Sequence, residues 1–219
     1  MCGRYTVQID MVALHERFKV ALNEMYAKSS NCAPTEELPV ITNKQPEELK
    51  LFRWGLVPFW AKDLKIGFKM INARADTILE KKSFSLPLQK RRCLVLADSF
   101  YEWKKLDKKN KQPYRIMLKS AQPFTFAGIW EYNGVLNVNT YSIITTDANE
   151  LVNEVHDRMP VILKPEDEQK WLSDSLDLKE AVDMLRPFPA EKMKMYQVNP
   201  AVGNARNKDP ELTQPWHGA

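Results

Sequence analysis

The sequence of 219 residues has no long apolar run, little glycine and little cysteine. No stretch approaches the ~18 consecutive apolar residues of a membrane-spanning helix, and the start, MCGRY, lacks the apolar segment of a signal peptide. With 7 glycines against 14 prolines, long flexible linkers are not expected. The three cysteines, Cys2, Cys32 and Cys93, include no CxxC pair, which argues against a disulfide framework or a zinc site and for a reducing, cytoplasmic compartment.

Common cofactor and hydrolase signatures are absent as well. The chain has no dinucleotide-binding GxGxxG, no P-loop, no HExxH and no GxSxG motif. Its 44% hydrophobic and 27% charged residues are typical of a folded domain rather than a disordered chain or a coiled coil. The formal net charge of +4 is compatible with nucleic acid binding but is too weak to establish it.

Short apolar and β-branched segments predict a strand-rich chain. Strands are expected at residues 3–8, 39–43, 50–54, 93–97, 100–104, 114–118, 124–130, 138–145, 160–163 and 194–198. They do not alternate regularly with helices, which argues against a parallel doubly wound sheet. The sequence therefore predicts one α+β domain over residues 1–219, with mostly antiparallel strands and flanking helices.

Helices and loops are expected between these strands. Residues 10–27 carry apolar side chains at helical spacing after the N-cap residue Asp10: Leu14, Phe18, Leu22 and Met25. Further helices are expected at residues 72–81 and 149–154, after Pro165 and after Asp177. Residues 31–34 and the aromatic stretch 54–60 are interpreted as loops.

Cysteine directly follows the initiator methionine, which gives position 2 unusual chemistry. Methionine aminopeptidases remove Met before a small residue, so Cys2 would become the N-terminal residue. Its α-amine would have a pKa of about 7.7–8.0, against about 10.4 for lysine, so much more of it is neutral and able to form a Schiff base. The adjacent thiol could then close a five-membered thiazolidine. From position alone, Cys2 could equally be incidental.

Four motifs, taken together and in order, resemble the SOS response-associated peptidase family, also called abasic-site processing or SRAP proteins. They are MCGRY at residues 1–5, INARA at 71–75, ADSFYEWK at 97–104 and VHDRMP at 155–160. Supporting segments are NCAP at 31–34, WGLVP at 54–58 and AVGNA at 201–205. The resemblance covers nearly the whole chain. It implies an α+β domain with a β-barrel-like core, and covalent capture of abasic sites in single-stranded DNA through Cys2.

The resemblance also implies four catalytic residues. Cys2 would be the nucleophile, with its amine attacking the aldehyde of the opened sugar and its thiol closing the ring. Asn72 would hold the N-terminus and the sugar. Glu102 would shuttle protons on the amine, and His156 would help to open the sugar ring. The residues alone leave simpler roles open: a helix N-cap for Asn72, a solvent-facing strand residue for Glu102, and a capping or core histidine for His156.

A second set of residues is implied to bind the DNA backbone. Arg4, Arg74 and Arg158 resemble phosphate ligands, because a guanidinium can bind two phosphate oxygens at once. Thr145 is expected to hydrogen-bond within the site or to a phosphate. On their own, the arginines could equally be surface cations.

Aromatic and basic segments are expected to extend this DNA-binding surface. Trp60 and Pro34 are candidates for a stacking or wedge surface beside the lesion, whereas Trp54 is expected in the core. Residues 81–111 hold ten Lys or Arg against three Asp or Glu, and five of the lysines, between residues 104 and 111, crowd one predicted hairpin whose loop is residues 105–112. That basic hairpin could bind nucleic acid or could simply be a solvated loop.

No metal ion or organic cofactor is expected, because an amine, a thiol, a carboxylate and an imidazole suffice for the implied chemistry. The expected partner is single-stranded DNA with an abasic site, bound by a monomer in the cytoplasm, or at the nucleoid in a bacterium. Two other functions stay open. One is an N-terminal-nucleophile cysteine peptidase in which His156 or Glu102 activates Cys2. The other is a non-catalytic nucleic-acid module built on the basic hairpin and the tryptophans.

Overall fold

Strands dominate the computed structural model, which describes residues 2–21 and 26–218. The strands found there are β1 (Tyr5–Val7), β2 (Ser29–Cys32), β3 (Glu37–Thr42), β4 (Gln45–Trp54), β5 (Asn72–Arg74), β6 (Arg92–Ala97), β7 (Ser99–Lys105), β8 (Lys111–Leu118), β9 (Phe124–Asn133), β10 (Val138–Asp147), β11 (Arg158–Pro160), β12 (Ile162–Leu163) and β13 (Met193–Gln197). The α-helices found there are α1 (Met11–Phe18), α2 (Lys82–Lys90), α3 (Glu150–Asn153), α4 (Pro165–Leu172) and α5 (Leu178–Asp183). The predicted α+β fold class is confirmed.

Five strands close into a barrel. β10, β4, β3, β6 and β9 pair in that order, and β9 pairs back onto β10. These pairings are antiparallel apart from β4 with β10, which is parallel. β5 and β11 add to β10, and β12 adds to β9. The β-barrel-like core implied by the resemblance is therefore confirmed.

A second sheet, in the order β13-β8-β7-β1-β2, places the first strand in its interior. Aromatic side chains join this sheet to the barrel. Tyr5 of β1 packs edge-on against Trp54 and Phe126, with ring centroids 5.1 and 5.8 Å apart, and its hydroxyl hydrogen-bonds that of Tyr141 at 2.7 Å. Since β1 is paired on both edges and packed against the barrel, the residues just before it have a defined position.

The expected helix over residues 10–27 is shorter than predicted. Its N-cap is Asp10, as expected, but the helix ends at Phe18, where Lys19 takes a left-handed conformation with φ of 56°. A residue in this conformation stops helical hydrogen bonding. The expected core positions Leu22 and Met25 lie outside the described residues.

Two further predictions of secondary structure are wrong. Residues 72–81 form β5 and a short 3₁₀ turn, Ala75–Thr77, instead of an α-helix. Asn31 and Cys32, expected in a loop, belong to β2. In both cases a strand distant in sequence supplies the hydrogen bonds, β10 for the first and β1 for the second, and this pairing overrides the local signal. The sequence also missed α2, which contains Pro87, a residue that rarely lies inside a helix.

Neither a membrane-spanning helix nor a metal-binding cluster is present among the described residues. The longest helix there, α2, has nine residues, whereas crossing the hydrocarbon layer takes about 20. The cysteines Cys32 and Cys93 are free and buried, as expected for small apolar side chains.

Candidate active site

Strand pairing brings the N-terminal cysteine beside Glu102. In the β1–β7 ladder, Tyr5 lies opposite Phe100, and the backbone N–H of Tyr101 donates to the carbonyl of Arg4 at 3.0 Å. Continuing this antiparallel register by two residues from Tyr5 sets residue 3 opposite Glu102, with Cys2 next to that pair. Cys2 therefore lies at the level of Glu102, near the middle of β7, although 100 residues separate them in the sequence.

Asn72 contacts the backbone of Cys2 directly. β5 pairs in parallel with β10, with Asn72 opposite Ile143, and from there the Asn72 Nδ2 donates to the carbonyl oxygen of Cys2 at 2.8 Å. The Asn72 Oδ1 is buried and makes no hydrogen bond to any described residue. Because Asn72 lies in a strand, the helix N-cap interpretation is wrong. The side-chain amide of Asn72 thus fixes the backbone of Cys2 and leaves its Oδ1 as a hydrogen-bond acceptor for a ligand.

Burial changes the protonation of both Cys2 and Glu102. The Glu102 side chain is only 2% exposed, and burial, aided by the negative charge of Asp157, raises its pKa from 4.5 to about 7. Burial and the charge of Glu102 raise the pKa of the Cys2 thiol, whose Sγ contacts the carbonyl oxygen of Arg4 at 3.7 Å. At neutral pH the thiol is thus protonated, while Glu102 can both accept and release a proton. The solvent-facing interpretation of Glu102 is wrong.

His156 follows α3 and is half-buried. Two groups contact its Nδ1: the backbone N–H of Arg158, which lies 3.0 Å away and can donate to the unprotonated nitrogen, and the carboxylate of Asp157, which can accept from the protonated nitrogen. Burial lowers the His156 pKa, and the nearby positive charge of Arg158 acts in the same direction, while Asp157, whose Oδ1 lies 2.9 Å from Nδ1, opposes them. The imidazole is therefore mainly neutral at physiological pH. Since Asp157 also acts on Glu102, His156 and Glu102 belong to one electrostatic neighbourhood.

An open groove of about 380 Å³ extends from Asn72. Beside the amide of Asn72, cationic and aromatic side chains line it: Trp60, Lys69, Arg74, Lys81 and Phe84. Trp60 is 56% exposed, whereas Trp54 is fully buried in the core, as expected. An accessible aromatic ring next to positive charges suits a single nucleic-acid strand, because its bases can stack on the ring and its phosphates are neutralised by the cations.

The expected phosphate ligands differ in their accessibility. Arg74 is exposed at the end of β5. The half-buried Arg4 donates from Nη2 to the carbonyl of Gly203 at 3.2 Å. Arg158 is only 7% exposed, pairs with Asp147 at 2.7 Å and donates to the carbonyl of Thr145 at 2.8 Å. Of the three, Arg74 alone presents its guanidinium openly to solvent.

Thr145 and Pro34 lie at the margin of this arrangement. Thr145 sits opposite Arg74 in the β10–β5 pairing and is fully buried, and its Oγ1 makes no hydrogen bond to any described residue. Pro34 is half-buried in the turn after β2. Their roles toward DNA stay predictions.

Two acidic residues beside the site were given no role from the sequence. Asp76 makes two hydrogen bonds to Arg74 and lies 3.5 Å from Arg158. Asp157 acts on both His156 and Glu102. Asp157 belongs to the VHDRMP motif and Asp76 directly follows INARA, and these positions were the signal available. The expected basic hairpin is present as the β7–β8 connection, with its tip at residues 106–110 exposed.

The fold and the site define an α+β protein in which the cysteine at position 2 is anchored by an amide, beside a buried carboxylate and an imidazole. A sequence model of the family described as SOS response associated peptidase (SRAP) matches residues 1–205. The chain belongs to this family.

Named relatives and a solved structure match most of this chain. The chain is 46% identical to the abasic site processing protein YoqW of Bacillus subtilis, over 98% of this chain and 99% of that one. It is 34% identical to the abasic site processing protein HMCES of Mus musculus, over 88% of this chain and 66% of that one. A crystal structure of a Bacteroides thetaiotaomicron protein is similar with a TM-score of 0.90 and 31% identity, covering 99% of this chain and 100% of that one.

Proposed function

We propose that this protein processes abasic sites by binding single-stranded DNA and crosslinking itself to the lesion through Cys2. The names of the relatives support the lesion class. The observation that carries the chemistry is the anchoring of Cys2: Asn72 holds its carbonyl oxygen at 2.8 Å, next to a buried Glu102 with a pKa of about 7. Such an arrangement serves an N-terminal residue whose amine needs a nearby proton acceptor and donor.

The proposed reaction begins after Met1 is removed, because only then is the Cys2 nitrogen a free amine. The neutral amine attacks the aldehyde carbon of the ring-opened sugar and forms a carbinolamine. The carbinolamine loses its hydroxyl as water and becomes an imine. The Cys2 sulfur then bonds to the imine carbon, and the thiol proton passes to the imine nitrogen. The product is a thiazolidine, and the balance is one aldehyde and one aminothiol giving one ring and one water.

Glu102 and His156 supply the proton transfers. Glu102 takes the proton released by the attacking amine and delivers one to the departing hydroxyl, which a carboxyl with a pKa of about 7 can do in both directions. His156, neutral at rest, accepts the proton of the anomeric hydroxyl, and the imidazolium so formed donates a proton to the ring oxygen as the sugar opens, which returns the neutral imidazole. The vacant acceptor Asn72 Oδ1 is available to a sugar hydroxyl or to the Cys2 amine.

DNA binding is proposed for the groove beside Asn72. Arg74 offers a guanidinium to a backbone phosphate, and Trp60 offers a ring on which a base can stack. Arg4 and Arg158 are proposed to support the same strand, together with Thr145 and Pro34. The basic hairpin continues from Glu102 along β7 and adds positive charge close to the site.

A cysteine peptidase mechanism is less compatible with this site. A nucleophilic cysteine needs a thiolate, which positive neighbours or a paired base create by lowering the thiol pKa. Here burial and the adjacent Glu102 carboxylate raise the pKa of Cys2. The thiazolidine route tolerates a protonated thiol, because sulfur adds last, to an activated imine.

The test is a crosslinking assay with Met-processed protein and a single-stranded oligonucleotide that contains one abasic site. We expect a heat-stable adduct on a denaturing gel. Cys2→Ala keeps the amine and loses the thiol, so it should give only a borohydride-trappable imine and more strand cleavage. Protein that retains Met1 should give no adduct.

Cys93→Ala is the matched control, because it removes a buried thiol in β6, away from the N-terminal segment. It should crosslink like the wild type. A heat-stable adduct formed by Cys2→Ala at the wild-type rate would refute the thiazolidine. Wild-type protein that binds the oligonucleotide without forming any adduct would favour a non-catalytic binding module. Steady turnover of peptide substrates that depends on Cys2 would favour the peptidase.

A further inference from the structure

Arg74, the most accessible of the proposed phosphate ligands, is already paired with a carboxylate. Its Nε donates to Asp76 Oδ1 at 3.1 Å and its Nη2 donates to Asp76 Oδ2 at 2.6 Å. Two parallel bonds of this kind are also how a guanidinium binds two oxygens of a phosphate. Both side chains are about half exposed, 55% for Arg74 and 47% for Asp76. The carboxylate therefore occupies, in a solvent-accessible position, the place that a DNA phosphate would take.

The Asp76 carboxylate is held in this place from two sides. Arg158 Nη2 lies 3.5 Å from its Oδ1, and Arg158 is itself buried and paired with Asp147. The hydrogen bonds from Arg74 and the positive charge of Arg158 lower the Asp76 pKa, so the carboxylate is ionised at neutral pH. Asp76 thus links an exposed arginine to a buried one and carries a permanent negative charge at the edge of the groove.

The position of this pair fits a phosphate next to the lesion. Asn72 and Arg74 are two residues apart in β5, so their side chains leave the strand on the same face. Their separation along the strand is about 6–7 Å, comparable to the distance between neighbouring phosphates of an extended strand. A sugar held at Asn72 would therefore place a flanking phosphate near Arg74.

We infer that Asp76 is an intramolecular competitor that occupies the phosphate subsite of Arg74 and limits how tightly the protein binds DNA before capture. This inference rests on the proposed function. A phosphate that reaches Arg74 replaces an existing pair instead of neutralising a free cation, so the contact adds little to non-covalent affinity. How long the protein stays on a DNA strand is then determined mainly by covalent capture at Cys2, and undamaged DNA dissociates quickly.

The first experiment measures the affinity for undamaged single-stranded DNA over a series of salt concentrations. Asp76→Asn keeps the shape of the side chain and removes its charge. Since exposed ion pairs are weak, we expect binding to tighten by about two- to five-fold at low salt. The salt dependence should steepen by up to ~0.7 in log–log slope, because Arg74 then neutralises one further phosphate. Asp76→Glu keeps the carboxylate and should stay close to the wild type.

The matched control is Asp183→Asn, which changes the net charge equally at an exposed position of α5. It should alter affinity by less than about 1.5-fold. A double-mutant comparison then separates competition from general repulsion. In an Arg74→Ala background, Asp76→Asn should no longer tighten binding. The maximal crosslinking rate at saturating abasic DNA should be the same for Asp76→Asn and wild type, while the half-saturating DNA concentration falls.

Three results would overturn the inference. If Asp76→Asn tightens binding equally with and without Arg74, Asp76 acts through general repulsion. If Asp76→Asn weakens binding, the carboxylate orients Arg74 toward DNA instead of competing. If wild-type protein crosslinks abasic DNA and Asp76→Asn leaves affinity unchanged, the inference fails while the proposed function stands. A wild-type protein that neither binds single-stranded DNA nor crosslinks it would refute the proposed function itself.

Discussion

Burial decides which side chains of the site are reactive at neutral pH. Glu102 would be fully ionised in water, but its almost complete burial moves its pKa to about 7. The same burial keeps the thiol of Cys2 protonated and the imidazole of His156 neutral. A neutral imidazole, a protonated thiol and a half-ionised carboxyl are the forms that an amine-first reaction with an aldehyde needs.

The raised pKa of Glu102 predicts a pH-dependent stability. The folded protein binds the Glu102 proton more tightly than the unfolded chain does, so between pH 4.5 and about 7 its stability falls as pH rises. Glu102→Gln cannot lose a proton and avoids this fall. We expect it to be more stable than wild type by of the order of 1–3 kcal/mol at pH 8 and to differ little at pH 4.5. Thermal unfolding across pH 4.5–8 measures the difference.

Glu16→Gln is the control for this prediction, because Glu16 is exposed on α1. Its difference from wild type should not change across the same pH range by more than about 0.5 kcal/mol. A Glu102→Gln difference that stays constant with pH would show that Glu102 is ionised without penalty. Its role as a two-way proton carrier at neutral pH would then be wrong.

Between elements, a few buried contacts decide how helices and loops join the barrel. Arg92 of β6 is buried, and its guanidinium donates to backbone carbonyls where two helices end: those of Leu88 and Gln89 at α2 and of Trp171 and Ser173 at α4. The last carbonyls of a helix have no partner within it. One arginine therefore completes the hydrogen bonding of two helices on the barrel.

Replacing Arg92 should consequently destabilise the protein. Arg92→Met removes the guanidinium donor from four carbonyls, of which those of Leu88 and Trp171 are bonded in the buried interior, and we expect a loss of about 2–4 kcal/mol in the free energy of unfolding. Arg186→Met removes an exposed arginine whose side chain, among the described residues, bonds only to the nearby carbonyl of Asp183, and it should cost less than about 0.5 kcal/mol. Urea denaturation of both variants provides the comparison. Equal losses would mean that other contacts hold the two helix ends.

The loop that carries Trp60 is attached through two glycines. Gly55 has a φ of 120°, and a Cβ on Gly67 would lie 2.6 Å from the carbonyl oxygen of Gly55. Gly67→Ala must push this loop away from β4, so we expect a loss of about 1–3 kcal/mol in stability together with weaker DNA binding. Gly134→Ala, whose Cβ would meet its nearest atom at 3.7 Å, is the control. If both variants bind DNA like wild type, the loop position does not matter for binding.

At the scale of the whole molecule, the C-terminal segment packs against the second sheet and stabilises the strand that carries Glu102. Residues 206–218 follow the stretch that the family model matches, yet the structure ties them to the second sheet. Arg115 of β8 donates to the carbonyl of Thr213 at 3.1 Å, and the buried Leu212 packs in a cluster with Tyr101. Tyr101 is the neighbour of Glu102 on β7, so the segment helps to hold the strand that carries the proposed proton carrier.

Truncation tests this support. A chain that ends at Ala205 exposes the apolar cluster around Tyr101 and loses the Thr213 contact, so we expect it to be less stable by at least about 2 kcal/mol. A chain that ends at Trp216 keeps both and should match the full-length protein. The midpoint temperature of thermal unfolding and the crosslinking rate should both be lower in the shorter chain. Unchanged stability in that chain would mean that the barrel holds β7 without help.

Much of the fold could be predicted, because most strands have a recognisable local sequence pattern. Alternating and β-branched segments marked most of the strands of both sheets, and the caps Asp10 and Asp177 marked two helix starts. Predictions failed where pairing with a distant strand decided the outcome. Asn72 looked like a residue before a helix, but β10 draws it into a strand. The end of α1 was missed because Lys19, which has no sequence signature for a left-handed conformation, adopts one.

The sequence by itself determined the chemistry of the protein: a cysteine at position 2 and motif-borne asparagine, glutamate, histidine and arginine residues. Only the tertiary structure decided what surrounds each of them. It put Asn72 on the carbonyl of Cys2 and buried Glu102 beside it, and it closed Asp76 onto Arg74. The reason is physical: side-chain identity is written locally, whereas proximity and burial, which set pKa and accessibility, depend on the register between strands far apart in the chain.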